Sequence, residues 1–362
     1  MTATLDAKRR TTPPTAQRRG NGGVARAVLL IGGAVASALA ISVSLVIGTS
    51  GITVADVWKS VLLATFGGVL ESDFERSYSI ITELRLPRAL LAFAAGAGLS
   101  LAGALMQGRL RNPLVSPFTL GVSPAAAFGA ALAITLAGTS SLPAWAIIFS
   151  ALGMALAVSA AVLLMASARR MAVATLLLLG IAVTQLFEAL TAALQFTANE
   201  NTLQAIIRWT FGSVNDATWF DVRVVGVVVL LSLPLALWFG KDLNAIAFAG
   251  DDAAKSLGVN VALLRPGLIV VAVLLASVVV SFCGVIGFVG LVGPHIARLV
   301  IGADHRVLLP FSLLTGGLLL LVADTVGRTI LAPAVIPVGI VVAFIGAPVF
   351  INLILTRKGA LK

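Results

Sequence analysis

The chain has 362 residues, of which 59% are hydrophobic and only 11% are charged, and its mean hydropathy is +1.06. A soluble domain carries roughly 25% charged residues, so the composition excludes an ordinary soluble protein. The net charge of +10 does not indicate a nucleic-acid partner, because the basic residues fall in short loops between apolar stretches, as membrane orientation requires. We predict an all-α membrane protein with several spans, no metal site and no cofactor.

The first 26 residues are basic and rich in Pro and Thr, and we expect them to form a disordered cytoplasmic segment. The apolar stretch 27–48 follows directly. About twenty apolar residues exceed the length of a usual signal-peptide core, which favours a retained first span over the alternative of a cleaved signal peptide.

Further apolar stretches follow along the chain, and each is long enough to approach or cross a hydrocarbon layer of about 30 Å. Including the first, the windows are 27–48, 89–105, 120–137, 143–167, 172–198, 222–240, 266–283, 307–323 and 336–355. The uncharged sequence that begins at Pro266 continues to Arg298, and glycines and Pro294 interrupt its second half. We therefore predict a break and a second, short span there, which makes ten crossings.

An even number of crossings places both basic termini on the same side of the membrane, and most Lys and Arg residues then face the cytoplasm. The predicted organisation is a ten-span membrane domain over 27–357, with a cytoplasmic loop over 241–265 and a cytoplasmic tail over 358–362. The sequence contains no phosphate-binding loop of the Gly-x-x-x-x-Gly-Lys-Ser/Thr type. The chain is thus predicted not to be an ATPase, and the absence of clustered titratable residues predicts that it is not an enzyme. Any energy source would be another subunit or an ion gradient.

The cytoplasmic loop contains a short stretch with helical features. Two acidic residues stand at its N-terminal end, where the helix dipole favours anions, and small apolar residues follow. Such an amphipathic helix suits the groove of a partner, whereas the alternative of a helix lying on lipid would require more basic residues. The candidate contact residues are Gly250, Asp251, Asp252, Ala254, Leu257 and Gly258.

Several motifs between residues 85 and 350 together resemble the FecCD family, the permeases of type II ABC importers that include the vitamin B12 and ferric-siderophore permeases. They are Arg85-Leu-Pro-Arg88, Gly103-Ala-Leu-Met-Gln107, Asn112-Pro-Leu114, the 250–258 loop, Gly287-Phe-Val-Gly-Leu291, Gly302-Ala-Asp-His-Arg306 and Phe344-Ile-Gly-Ala-Pro348. The resemblance implies cytosolic ATPase subunits that bind the 241–265 loop, a second permease subunit in a homo- or heterodimer, and an extracytoplasmic substrate-binding protein or lipoprotein. It also implies a bacterial cytoplasmic membrane and surrounding lipid.

Arg85, Arg88 and Arg328 are predicted at the outer ends of spans. An isolated interfacial arginine commonly extends its head group to water and serves only as an anchor. Three guanidinium groups at one mouth could instead bind carboxylates in a bidentate manner. The resemblance implies that these arginines bind acidic residues of the substrate-binding protein.

The Asn112-Pro-Leu114 segment interrupts the chain at the inner end of the second span, because Pro113 prevents its neighbour from continuing a helix. From the residues alone it is a loop between two spans. The resemblance implies that Asn112 and Leu114 belong to an inner gate. A companion segment is expected near Val173 and Ala174, where the B12 permease has a Thr-Ser pair, so the chain departs from the family pattern there.

Few charged residues lie within the spans. Asp324 lies four residues before Arg328, which predicts an ion pair within one helix. Glu188 has no evident partner and is predicted to line the pathway or to pack, with proton coupling as the alternative. His295 is predicted to be structural, near the coupling region.

The resemblance and the scarcity of charge favour a bulky, neutral cargo, and the predicted function is import of an iron–siderophore complex. Haem, cobalamin or another metal chelate is the alternative within the same family. A secondary transporter driven by protons or another ion is the more distant alternative.

Overall fold

The computed structural model describes residues 21–48, 51–68, 71–138, 143–169, 171–256, 258 and 261–356. Within these residues every regular element is a helix. The α-helices are α1 Asn21–Val46, α2 Val54–Phe66, α3 Ser72–Ser79, α4 Leu86–Leu110, α5 Val122–Ala137, α6 Ala144–Ala168, α7 Val173–Thr197, α8 Glu200–Thr210, α9 Trp219–Trp238, α10 Gly240–Ser256, α11 Val261–Cys283, α12 Val289–Ile301, α13 His305–Gly327 and α14 Val338–Thr356. A π-helical turn over Ile80–Arg85 joins α3 to α4, and a 3₁₀ turn over Pro117–Leu120 precedes α5.

The sequence predicts terminal segments over 1–26 and 358–362. Residues 1–20 and 358–362 lie outside the residues that the structure describes. The remaining part of the basic segment, 21–26, is helical and not disordered. Arg26 in the first turns of α1 donates to the carboxylate of Asp304, far along the chain, at 3.1 Å. That ion pair attaches the start of α1 to the bundle.

Seven helices of the described chain are long and apolar enough to cross a membrane, and three shorter apolar helices accompany them. The seven are Gly23–Val46, Ser72–Leu110, Ala144–Ala168, Val173–Thr197, Trp219–Trp238, Pro266–Cys283 and His305–Gly327, and the shorter three are Val122–Ala137, Val289–Ile301 and Val338–Asn352. The break predicted inside the long uncharged stretch is confirmed. The helix α11 ends at Cys283, and α12 begins at Val289 after Gly284, whose φ is +71°.

The helix α4 forms the centre of the bundle and is buried along nearly its whole length. Its small residues allow neighbouring helices to approach closely, as membrane helix packing requires. The Cα of Gly103 lies against the backbone carbonyl of Gly290 in α12, and Ser100 Oγ donates to the carbonyl of Ser312 in α13 at 2.6 Å. These contacts bring two of the sequence motifs, 103–107 and 287–291, together.

Four long apolar helices lie at the periphery: α1, α6, α7 and α9. Between 11% and 22% of the most apolar window of each is buried within the chain. Their exposed apolar surfaces suit lipid or another membrane subunit.

Candidate functional site

Arg85, Arg88 and Arg328 lie together at one end of the bundle, and we call this group the arginine cluster. Arg88 of α4 donates through Nε and Nη2 to the carboxylate of Asp324 in α13, at 3.0 and 2.9 Å. Its Nη1 donates to Asn215 Oδ1 at 2.5 Å. The side chains of Arg88 and Asp324 are 13% and 3% exposed, so this is a partly buried, charge-assisted contact of the strong kind.

The other two arginines bind the C-terminal end of α1. Arg85 Nη1 donates to the carbonyls of Leu45 at 2.5 Å and Val46 at 3.1 Å. Arg328 donates to the carbonyl of Ser44, and to Ser44 Oγ at 2.7 Å. The last carbonyls of a helix have no partner within the helix and carry partial negative charge. Two guanidinium groups therefore cap α1.

The ion pair predicted between Asp324 and Arg328 is wrong. Asp324 pairs with Arg88 across two helices, while Arg328, the C-cap residue of α13, extends toward α1. Arg88 takes the carboxylate because its Nε and Nη2 reach both oxygens of the buried Asp324 side chain. In this arrangement all three members of the arginine cluster have partners within the chain, and Arg85 is 8% exposed.

A cavity of about 520 Å³ lies at the same end, between α4, α5, α8, α9 and α11. Its lining includes the charged residues Arg208, Asp216 and Asp221 beside Trp209 and Phe282. The sequence predicts a bulky, neutral cargo, which would suit a cavity without charged side chains. The charged lining of this cavity does not match that prediction. It lies within a single chain.

The predicted gate segment lies at the opposite end, between α4 and α5. Asn112 Oδ1 accepts the backbone N–H of Leu114 at 3.0 Å, which closes a tight turn around Pro113. The Leu114 side chain is 47% exposed. Beyond this turn, Gly180 of α7 packs against the carbonyl of Thr119. The structure thus places the first half of α7, which contains the predicted companion segment, beside the chain that follows Leu114.

The 241–265 loop is mostly helical and forms α10 and the start of α11. Gly250 divides α10 into two helical segments with φ +83° and ψ 176°, and Gly258 beyond its end also has a positive φ. Ala254 is buried, whereas Phe248 is 94% exposed. Among the predicted contact residues, Leu257 lies outside the described residues, and Asp251 and Asp252 are described only by their helical backbone.

Sequence reasoning did not single out Asn244, whose side chain attaches α10 to the bundle. Asn244 of α10 bonds to both Asp304 and His305 at the start of α13, each time at 2.8 Å. Asp304 caps α13 by accepting the N–H of Arg306 at 3.1 Å. Burial raises the pKa of the Asp304 carboxyl, but hydrogen bonds from Asn244 and the Arg306 amide, with the charges of Arg26 and Arg306, outweigh it and lower that pKa. An Asp before a helical run is a recognisable cap, whereas nothing in the sequence distinguishes Asn244.

The predicted intramembrane acid lies on the least buried span. Glu188 of α7 is exposed and accepts a hydrogen bond from Gln185 Nε2 at 3.2 Å, so it has a partner one turn earlier. Two polar side chains in the middle of an apolar helix are costly in contact with hydrocarbon. His295 is partly buried in α12, and its predicted structural role stays a prediction.

The profile of the FecCD transport family matches residues 36–356 of the chain. The chain belongs to the FecCD transport family. Its relatives include the cobalamin import system permease protein of Halobacterium salinarum, 38% identical over 78% of this chain and 75% of that one. The Fe(3+) dicitrate transport system permease protein FecD of Escherichia coli is 40% identical over 78% of this chain and 86% of that one.

A solved structure has the same fold. It belongs to a transporter assigned to the metal-chelate type of ABC transporter, in an inward-facing conformation, and it superimposes with a TM-score of 0.79. The match covers 91% of this chain and 99% of that one at 32% identity. This FecCD family member is therefore a multi-pass membrane permease, a transport subunit and not an enzyme.

Proposed function

We propose that this chain is the permease subunit of a type II ABC importer that translocates an iron–siderophore complex across the bacterial cytoplasmic membrane. The single observation that carries the proposal lies in α10. One side chain of this helix is buried in the bundle, and an aromatic side chain of the same helix extends away from the bundle. Ala254 is buried, whereas Phe248 is 94% exposed. An aromatic residue presented at the end of a bundle is typical of an anchor for a protein partner. The partner is the cytosolic ATPase.

The proposed topology has ten crossings, with both termini in the cytoplasm. The seven long and three short apolar helices supply the crossings, since buried short helices need not face lipid. In this topology α10 and the gate residues Asn112 and Leu114 face the cytoplasm, and the arginine cluster faces outward. The arrangement agrees with the bias of basic residues toward the cytoplasm.

The arginine cluster is the proposed docking site of a substrate-binding protein. Arg88 and Arg328 are partly buried and Arg85 is buried, so docking requires acidic side chains of the partner to compete with Asp324 and with the end of α1. Exchange of one carboxylate for another at a guanidinium fork conserves the bidentate geometry. Arg88 is the best-placed member, because its Nη1 already reaches the exposed Asn215.

A second permease subunit is proposed to pack against α7. Its exposed Gln185 and Glu188 are better placed in a water-filled pathway between two subunits than in lipid. The cargo then passes between the subunits, with Leu114 at the inner end, and not through the 520 Å³ cavity of one chain.

An iron–siderophore complex is the proposed cargo, and haem, cobalamin or another metal chelate is the alternative. Support for a chelate comes from the relatives named for Fe(3+) dicitrate and for cobalamin. Deletion of this chain is expected to abolish uptake of radiolabelled ferric siderophore while uptake of haem and cobalamin continues. Unchanged siderophore uptake would refute the cargo, and purification without any ATPase subunit would refute the importer.

A further inference from the structure

The side chain of Asn244 joins the first half of α10 to the N-terminal end of α13. Its Oδ1 accepts the backbone N–H of His305 at 2.8 Å and lies 2.8 Å from His305 Nδ1. Its Nδ2 donates to Asp304 Oδ1 at 2.8 Å. The two polar atoms of one amide side chain thus make three contacts with two consecutive residues, Asp304 and His305.

These contacts determine the state of the His305 ring. The Asn244 oxygen only accepts, so His305 Nδ1 carries a proton and donates it. The ring is 4% exposed. Its Nε2 has no hydrogen-bond partner in the part of the chain that the structure describes.

The other edge of the ring is packed against α4. A side chain at Gly108 would lie 2.5 Å from His305 Nε2, so glycine permits this contact. His305 is therefore a rigid spacer between α10, α13 and the last turn of α4. Since close-packed interiors transmit displacement, a shift of α10 displaces both other helices.

A second contact leads from α10 to the gate segment. At the bend of α10, a side chain at Gly250 would lie 3.1 Å from Arg111 Nη1. Arg111 is the C-cap of α4, with φ +50° and ψ +33°, and the next residue is Asn112. The guanidinium of Arg111 thus lies beside the bend and directly precedes the gate.

We propose that Asn244 and His305 are positioning residues that transmit movement of α10 to the inner gate. The inference rests on the proposed function, in which the ATPase moves α10. The Asn244–His305 contact makes α10, the start of α13 and the end of α4 move as one body. Without it, α10 would pivot at Gly250, and only the contact with Arg111 would carry displacement by the ATPase toward Leu114, so the movement at the gate would be smaller.

The test uses the complete complex of permease and co-purified ATPase, and it needs no knowledge of the cargo. A Leu114→Cys variant reports gate exposure through its rate of reaction with a membrane-impermeant maleimide, with and without ATP and vanadate. The native Cys283 is 1% exposed and does not contribute. ATP hydrolysis is measured on the same samples.

In the Leu114→Cys background, Asn244→Ala is expected to reduce the nucleotide-dependent change in labelling by about fivefold or more, the range of measured coupling between sites. Hydrolysis of ATP is expected to continue. Asn199→Ala, which removes an asparagine cap of α8, is the matched control and is expected to leave the response unchanged.

Each outcome bears on one proposal. A full nucleotide response in Asn244→Ala would overturn the inference. Loss of ATP hydrolysis in step with the labelling response would also overturn it, since that pattern indicates a merely structural role. Absence of a nucleotide response in the Leu114→Cys protein that is otherwise native would instead refute the proposed gate.

Discussion

Arg88 of α4 and Asp324 of α13 form the ion pair that closes one end of the bundle, with Nη2 to Oδ1 at 2.9 Å. Both residues were singled out in the sequence, but with other roles and another pairing. Asp324 is 3% exposed, and the Arg88 guanidinium donates to both oxygens of its buried carboxylate. The pair consequently serves two purposes in our interpretation: it holds α4 to α13, and it keeps Arg88 oriented for an acidic partner.

Removal of one partner of this pair should destabilise the protein more than removal of both. Asp324→Ala leaves a guanidinium without its carboxylate, which costs about 3 kcal/mol in comparable partly buried sites. The double change Arg88→Met/Asp324→Leu replaces the pair with apolar groups and is expected to recover most of that stability. Thermal unfolding in detergent measures both variants. Equal loss in the single and double variants would show that the charge pair itself does not matter.

The close contact between α4 and α12 should be sensitive to a single added methyl group. Gly103→Ala would place a Cβ against the Gly290 backbone, which cannot move as a flexible side chain can. Overpacking of this kind costs about 1–3 kcal/mol. Gly153→Ala in α6 is the control, since a Cβ there meets nothing within 4 Å. Equal unfolding temperatures for the two variants would contradict the packing argument.

Phe248 should matter for assembly and not for folding. Its side chain is 94% exposed, so Phe248→Ala is expected to leave the unfolding temperature unchanged. Loss of a hot-spot aromatic costs about 2 kcal/mol or more, so we expect ATPase affinity to fall at least about tenfold in a titration with labelled permease. Trp238→Ala is the control, because Trp238 is similarly exposed, at 82%, but ends the apolar helix α9. The idea fails if both variants bind the ATPase as the native chain does.

Glu188 separates the importer from an ion-coupled transporter. In the importer, Glu188→Gln keeps a polar side chain on α7 and is expected to leave ATP-dependent uptake of ferric siderophore within about twofold. Gln185→Ala, which removes its hydrogen-bond donor, is the companion variant and should behave alike. Proteoliposomes assayed with ATP, and separately with an imposed proton gradient, distinguish the cases. Uptake that requires the gradient and disappears in Glu188→Gln would favour the secondary transporter.

Part of this molecule could be inferred from local sequence. Apolar length predicted the helices, glycines and Pro294 predicted the interruption after Cys283, and the motifs predicted the family. Each of these properties depends on neighbouring residues or on a pattern along one segment, so no knowledge of packing was required.

The roles of individual polar residues depended on contacts between distant segments. Asp324 and Arg328 are four residues apart and compatible with a pair, yet Arg88, 236 positions away, takes the carboxylate. Asn244 carried no signal in the sequence, because its meaning comes from His305 and Asp304 on another helix.

The sequence by itself therefore determined that this is a helical membrane protein with most of its charges near the helix ends, because apolar length and charge placement are one-dimensional properties. Only the tertiary structure decided which charge neutralises which, what caps α1 and what connects α10 to the gate segment. Hydrogen bonds act over about 3 Å, and a distance of that kind between residues far apart in the chain exists only after the helices have packed.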